Sequence, residues 1–109
     1  MYTTVKETDK YHANENTDIW RMIQMVKIIM HGCNGRMGQV ITGITSNDPE
    51  AEIVAGIDVV DCRDNGYPVF TDIDDCDVKA DVIIDFAAAA AVDKLLDYGV
   101  RTQIPIVLC

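Results

Sequence analysis

The stretch VKIIMHGCNGRMG, residues 26–38, places an apolar run directly before three glycines that are spaced three residues apart. The apolar run Val26–Met30 predicts a short strand that is buried on both faces, as in a parallel sheet. After the glycines, apolar residues recur at i, i+3, i+4 and i+7 and predict a helix with one apolar face that ends near Pro49. The residues of this apolar stripe are Met37, Val40, Ile41 and Ile44.

Strands and helices alternate along the rest of the chain. Apolar runs predict strands over Ala51–Ile57, Asp81–Phe86 and Ile104–Cys109, and helical spacing predicts a second helix over Ala87–Tyr98 with Gly99 as its C′ residue. The segment Val69–Asp77 is expected to be an irregular acidic connection. Short connections between these elements indicate right-handed crossovers. We therefore predict a partial α/β domain, a Rossmann-type doubly wound parallel sheet of about four strands with flanking helices.

The glycines Gly32, Gly35 and Gly38 have the spacing of a dinucleotide-binding loop. Such a loop needs one glycine for a tight turn, bare backbone beside the pyrophosphate, and a glycine that lets the helix pack closely on the strand. Asn34 occupies the position where the commoner pattern has its second glycine, and asparagine tolerates left-handed backbone. The helix N-terminal amides around Gly35 would then attract phosphate. A glycine turn without a ligand is the structural alternative.

Asp58 follows the last glycine by about 20 residues, at the end of the next predicted strand. A carboxylate at this position accepts hydrogen bonds from the adenosine ribose hydroxyls and repels a 2′-phosphate. NADH is therefore favoured over NADPH as the cofactor. Arg63 is close enough in sequence to reach a 2′-phosphate, so both cofactors stay open.

Composition limits the other functions. The formal net charge of −9 disfavours nucleic acid and anionic membranes as partners, and neither a secretion signal nor an apolar run of membrane-spanning length is present. The cytoplasm is the expected compartment, with the four cysteines as reduced thiols. The acidic segment 72–77 lacks the spacing of a calcium loop, and no metal site is predicted. His31 and Cys33 are expected to have packing roles.

One domain preceded by a leader is expected. Residues 1–24 form a leader or extension that is partly disordered, polar up to Asn16 and then a short helix capped by Thr17-Asp18, and residues 25–109 form the NAD(P)-binding domain. Because the chain stops on an apolar strand, we expect this domain to be the N-terminal part of a longer protein.

Four segments of residues 25–109 together resemble one enzyme family. They are VKIIMHGCNGRMG, AGID, VIIDFA and IPIVLC. In this order they are similar to the N-terminal cofactor domain of dihydrodipicolinate reductase, also called 4-hydroxy-tetrahydrodipicolinate reductase, of lysine and diaminopimelate biosynthesis. The resemblance implies an NAD(P)H-dependent reductase that is homo-oligomeric at full length.

The resemblance also implies which residues hold the cofactor. The pyrophosphate would lie on Gly32, Cys33, Asn34, Gly35, Arg36 and Met37; the ribose on Asp58; and the nicotinamide side on Asp85, Phe86, Ala87 and Cys109. Ala87 departs from the family, which usually has serine or threonine there. The family's paired substrate-site histidines are absent, so we expect no catalytic residue in this chain and no turnover by it alone. The alternatives are a non-catalytic NADH-sensing module and an interaction domain that has lost its ligand.

Overall fold

The structure, a computed structural model, describes residues 25–60 and 64–109. The predicted leader and its helix lie outside the described residues, as do Cys62 and Arg63.

The described chain forms five strands, two α-helices and two short 3-10 helices. In chain order they are β1 (Val26–His31), α1 (Arg36–Ser46), β2 (Ala51–Ile57), β3 (Val69–Phe70), a 3-10 helix (Ile73–Asp75), β4 (Val82–Asp85), a 3-10 helix (Ala89–Ala91), α2 (Val92–Thr102) and β5 (Ile106–Leu108).

The five strands form one parallel sheet in the order β3-β2-β1-β4-β5. This is the strand order of a doubly wound nucleotide-binding fold, in which the direction of winding reverses between β1 and β4. The predicted fold class is confirmed. In register, His31 at the end of β1 lies between Ile57 of β2 and Asp85 of β4, so the carboxyl ends of the three central strands meet at one edge.

Side chains of the central strands alternate between two core clusters, as the pleat requires. On β1, Ile28 and Met30 belong to the cluster that α1 covers through Ile41, whereas Ile29 belongs to the cluster that holds Leu95 and Tyr98 of α2. Because β1 is buried on both faces, its continuous apolar run identified the strand correctly.

The C-terminal half differs from the prediction in three boundaries. The strand β3 falls within the segment expected to be irregular, because two residues are too few to show a periodic pattern. The alanine run forms a 3-10 turn, and α2 begins at Val92 and continues to Thr102. Strand β5 begins only after Pro105, whose carbonyl accepts a 2.9 Å hydrogen bond from Ile83 of β4.

Gly99 is not the C′ residue of α2 but a buried residue inside the helix. A Cβ there would lie 2.5 Å from Ile106 Cδ1, so glycine allows α2 to approach β5. The left-handed residue at the end of the helix is Gln103, with φ of 60°. The prediction confused a packing glycine with a terminating glycine, because both stand near the end of an apolar helical pattern.

Helix α1 is confirmed, but most of its apolar stripe is exposed. Met37, Val40 and Ile44 are 42%, 46% and 62% exposed, and Ile41 alone of the stripe is half-buried. The single fully buried residue of α1 is Gly38. A Cβ at Gly38 would clash with the backbone of Gly32 and Cys33, so α1 packs closely on the loop after β1 through this glycine.

Candidate dinucleotide-binding site

The candidate site lies at the carboxyl ends of β1, β2 and β4, where the loop after β1 leads into α1. In open α/β sheets, ligands bind outside the carboxyl ends of the strands at the point where the strand order reverses. That point is the crevice between β1 and β4.

Gly32 and Gly38 give the loop its shape. Gly32 has φ of +86°, and a Cβ there would lie 2.9 Å from the Ala87 nitrogen. A Cβ at Gly38 would lie 2.2 Å from the Gly32 carbonyl oxygen, which is backbone and cannot rotate away. Both glycines are therefore required by the fold itself.

Gly35 differs from its two neighbours because packing does not require it. Its φ of −76° is open to any residue, and a Cβ would make ordinary contact, 3.5 Å, with the Gly32 carbonyl oxygen. It is the N-cap residue of α1, where serine, threonine, aspartate or asparagine usually cap the first amides. No side chain among the described residues caps this turn, and its first turn contains no acidic residue. The bare, electropositive N-terminus fits an anionic ligand.

Asp58 lies directly after β2 and beside this loop. Its Oδ2 accepts a 2.9 Å hydrogen bond from the Asn34 backbone amide, and its Oδ1 accepts a 3.2 Å bond from the Val60 amide. The side chain is half-buried. The two bonds fix the carboxylate against the loop while each oxygen keeps a second lone pair for a further donor.

A network of side-chain amides joins the loop to the segment after β2. Asn34 Nδ2 donates to the Val60 carbonyl, and Asn65 Nδ2 donates to Asn34 Oδ1 at 2.8 Å. Gln39 Nε2 donates to Asn65 Oδ1 at 2.8 Å and to the Cys33 carbonyl at 2.9 Å. Sequence reasoning missed Gln39 and Asn65, because neither residue belongs to the glycine motif and an Asn-Gly pair is by itself typical of a turn.

A buried pair of polar side chains joins the ends of β1 and β4 beneath the crevice. His31 Nδ1 and Asp85 Oδ1 are 2.8 Å apart, with each residue 5% exposed. Asp85 Oδ1 also accepts a 2.9 Å hydrogen bond from the Ala87 amide. His31 therefore contacts Asp85, which in turn binds the Ala87 amide at the edge of the site. The packing role expected of His31 did not include this polar contact.

Comparison with known proteins identifies the family. A model of the family described as "Dihydrodipicolinate reductase, N-terminus" matches residues 26–109. The chain belongs to this family. The resemblance predicted from the sequence is confirmed, and members of the family use a pyridine nucleotide cofactor.

Individual members of the dihydrodipicolinate reductase family agree with this assignment. The chain is 44% identical over 85 residues to 4-hydroxy-tetrahydrodipicolinate reductase of Clostridium novyi, covering 78% of this chain and 34% of the relative. The Clostridium perfringens (strain SM101) enzyme is 41% identical over 86 residues, with the same two coverages. The chain thus spans about a third of the length of these relatives. The non-catalytic module is not favoured by these matches.

A solved dihydrodipicolinate reductase shares the fold. The dipicolinate-bound enzyme from Paenisporosarcina sp. TG-14 superposes with a TM-score of 0.68 at 22% identity, over 77% of this chain and 37% of that one. At this identity the likeness supports the fold assignment and nothing finer.

The remaining residues that the family resemblance pointed to lie around the same edge. Arg36 and Met37 are exposed on the first turn of α1, and Phe86 and Ala87 are half-buried after β4. Cys109 is exposed, and its amide donates a 3.1 Å hydrogen bond to the Asp85 carbonyl.

Cys33 is fully buried, and a Cβ at Gly56 would lie 2.6 Å from its sulfur, in agreement with a packing role.

The acidic segment after β3 is occupied by structural contacts. Asp72 caps the 3-10 helix by accepting from the Asp74 amide, and Lys94 of α2 lies 2.7 Å from Asp72. The hydrogen bond from Lys94 lowers the pKa of the Asp72 carboxyl.

Among residues 25–60 and 64–109, no group of three or more histidine, cysteine, aspartate or glutamate residues could hold a metal ion. No helix in the described part of the chain is long and apolar enough to cross a membrane.

Proposed function

We propose that this chain binds NADH as the cofactor part of a 4-hydroxy-tetrahydrodipicolinate reductase. The observation that carries the proposal is Gly35. Its backbone accepts any residue and its surroundings have room for a side chain, yet no side chain in the described part of the chain caps the N-terminus of α1. A ligand that approaches the backbone at this point explains the glycine, and the packing of the chain does not.

Each half of a dinucleotide has matching groups at this edge. The amides at the start of α1 would bind the pyrophosphate, with Arg36 adding a cation beside it. Asp58 on the β2 side would accept the ribose hydroxyls. With the adenosine on the β2 side, the nicotinamide half extends across the crevice to Phe86, Ala87 and Cys109, beyond the ends of β4 and β5.

The preference for NADH rests on the fixed position of Asp58. Because two main-chain amides hold its carboxylate, the side chain cannot turn away from a 2′-phosphate without losing both hydrogen bonds. A 2′-phosphate on the ribose would bring its negative charge beside this carboxylate, whereas the free 2′-hydroxyl of NADH can donate to it.

In the reaction that we assign to the whole enzyme, residues of this chain would hold and orient a nicotinamide cofactor, which would supply the hydride for reduction of a cyclic unsaturated dicarboxylate. No pair of adjacent histidines is present to serve the substrate and its proton donor. We expect the 109-residue chain by itself to bind NADH and to show no reductase turnover, and reduction of the substrate by the purified chain would contradict this.

Calorimetric titration with NADH and NADPH tests the cofactor assignment. We expect the unaltered chain to bind NADH more tightly, and Asp58→Asn to weaken NADH binding about tenfold while narrowing the ratio of the two dissociation constants. Asp97→Asn, which removes the same charge from the exposed face of α2, is the control. It should change neither the NADH affinity nor the ratio of the two dissociation constants. Tighter binding of NADPH by the unaltered chain would refute the preference.

Substitution of Gly35 tests the observation on which the proposal rests. Gly35→Asp adds an N-cap carboxylate, so the melting temperature should stay level or rise, while the new negative charge should weaken NADH binding more than tenfold. Gly35→Ala, which adds a Cβ without charge or cap, should weaken binding less than the aspartate does. Unchanged NADH affinity in both variants would show that no phosphate approaches this turn.

We further propose a cytoplasmic location and self-association of the whole enzyme. The first fits a biosynthetic reductase family, and the second follows from the family resemblance. Size-exclusion chromatography with light scattering would test the second.

A further inference from the structure

We infer that His31 is a positioning residue for the nicotinamide half of the cofactor, acting through Asp85 on the Phe86–Ala87 segment. The inference rests on the proposed function, since it assigns a role within the same cofactor site. It concerns residues at the ends of β1 and β4, beside Gly32 of the glycine loop.

Two hydrogen bonds that share one oxygen of Asp85 connect the end of β1 to the segment after β4. His31 Nδ1 donates to Asp85 Oδ1 at 2.8 Å, and the same oxygen accepts the Ala87 amide at 2.9 Å. A carboxylate oxygen only accepts hydrogen bonds, so the proton of this bond is on Nδ1 of the imidazole. The two side chains are 7% and 6% exposed, so water competes little for these bonds.

The Phe86–Ala87 segment is held from a second direction by the backbone. The Phe86 amide donates a 3.0 Å hydrogen bond to the His31 carbonyl, and the Ala87 nitrogen is close enough to Gly32 that a Cβ there would come within 2.9 Å of it. The segment is thus the wall of the crevice that faces the glycine loop. A shift of Ala87 changes the width of the crevice on the nicotinamide side and leaves Asp58, on the β2 side, in place.

The carboxylate of Asp85 is a costly group to bury without a charged or donating partner. His31 supplies the side-chain donor, and Ala87 supplies the main-chain donor. If His31 cannot donate, we expect Asp85 to turn toward water in the crevice and to release the Ala87 amide. The resulting defect is local to one half of the cofactor site.

Binding of NADH and of ADP-ribose, which lacks only the nicotinamide ring, separates this role from a general effect on the fold. We expect His31→Leu, which keeps bulk but has no donor, to weaken NADH binding about tenfold or more and ADP-ribose binding less than about twofold. His31→Asn retains a donor near the position of Nδ1 and should recover most of the NADH affinity. An equal loss for both ligands, or no loss for either, would overturn the inference.

A second measurement uses the unaltered chain and does not depend on the folding of the leucine variant. In nuclear magnetic resonance spectra, NADH should shift the Ala87 amide and the His31 ring signals, whereas ADP-ribose should shift the amides of Arg36 and Met37 and leave the Ala87 and His31 signals nearly unchanged. Equal shifts at Ala87 with both ligands would count against the role of His31. If neither ligand binds the unaltered chain, the proposed function fails first and this inference fails with it.

Discussion

The two helices of the domain have equal length but attach to the sheet in different ways. Helix α1 and helix α2 each have 11 residues. Helix α2 buries Leu95 and Tyr98 in a core cluster, whereas α1 buries only Gly38 and leaves most of its apolar stripe exposed. The difference indicates a division of labour: α2 contributes side-chain burial, and α1 is placed so that its N-terminus reaches the crevice.

The largest effect that this comparison predicts is that of Gly38→Ala. The new Cβ would lie 2.2 Å from the Gly32 carbonyl oxygen and 2.6 Å from that of Cys33, so the loop and α1 must separate. We expect a loss of about 3 kcal/mol or more in the free energy of unfolding, measured by denaturant titration, together with loss of NADH binding.

Gly43→Ala is the matched control for this substitution. It lies on the same helix with nothing within 4 Å of a Cβ, so alanine should stabilise the protein by about 0.5–1 kcal/mol. A tolerated Gly38→Ala would show that α1 is not held by backbone contact.

Leu95→Ala should have the next largest effect, and on stability alone. Leu95 is fully buried in the α2 cluster, so its truncation should cost roughly 2–5 kcal/mol of unfolding free energy. Because the side chain lies on the face of the sheet away from α1, NADH affinity of the folded fraction should be unchanged. Its neighbour Leu96 is 41% exposed, and Leu96→Ala should cost clearly less. A loss of NADH affinity in Leu95→Ala would contradict the conclusion that α2 contributes to stability and α1 to the site.

Ile44→Gln should have a small effect if the stripe of α1 is as exposed in solution as in the structure. At 62% exposure, we expect a change within about 0.5 kcal/mol in the free energy of unfolding. A cost comparable to that of Leu95→Ala would mean that another surface covers Ile44, and would make the two helices alike.

The smallest effect concerns the exposed contact between α2 and the segment after β3. The hydrogen bond from Lys94 lowers the pKa of Asp72 and so contributes stability above the unfolded pKa of that carboxyl, which is lost as the pH falls through the folded value. Lys94→Met should move the pKa of Asp72, measured by nuclear magnetic resonance, back toward its ordinary value, with little change in stability because both groups are solvated. An unmoved pKa would assign the shift to the Asp74 amide instead.

The features that sequence could predict are those fixed by local pattern. Residues 28–31 of β1 and 55–57 of β2 are buried on both faces, and their apolar runs are typical of strands in a parallel sheet. The glycine spacing and Asp58 were recognisable because a phosphate loop and its acid follow a fixed order along one strand-helix-strand unit.

The features that sequence could not predict depend on contacts between distant segments. Gly99 serves the packing of α2 on Ile106, and His31 meets Asp85 only after β4 is placed beside β1. The apolar stripe of α1 has the spacing of a buried face, but the residue of α1 that is fully buried is Gly38, which packs against the backbone of Gly32 and Cys33. Periodicity reports that a helix has two faces and does not report how close it lies.

The central position of β1 has a consequence for the order of folding. His31 at its end pairs with Asp85, 54 residues further along the chain, and the intervening residues contain α1, β2 and β3. Closing a contact of such long range is entropically costly and slow compared with forming the strand-loop-helix unit. During synthesis the glycine loop can therefore form early, whereas the crevice between β1 and β4 forms only after β4 has been made, so the proposed cofactor site is completed late.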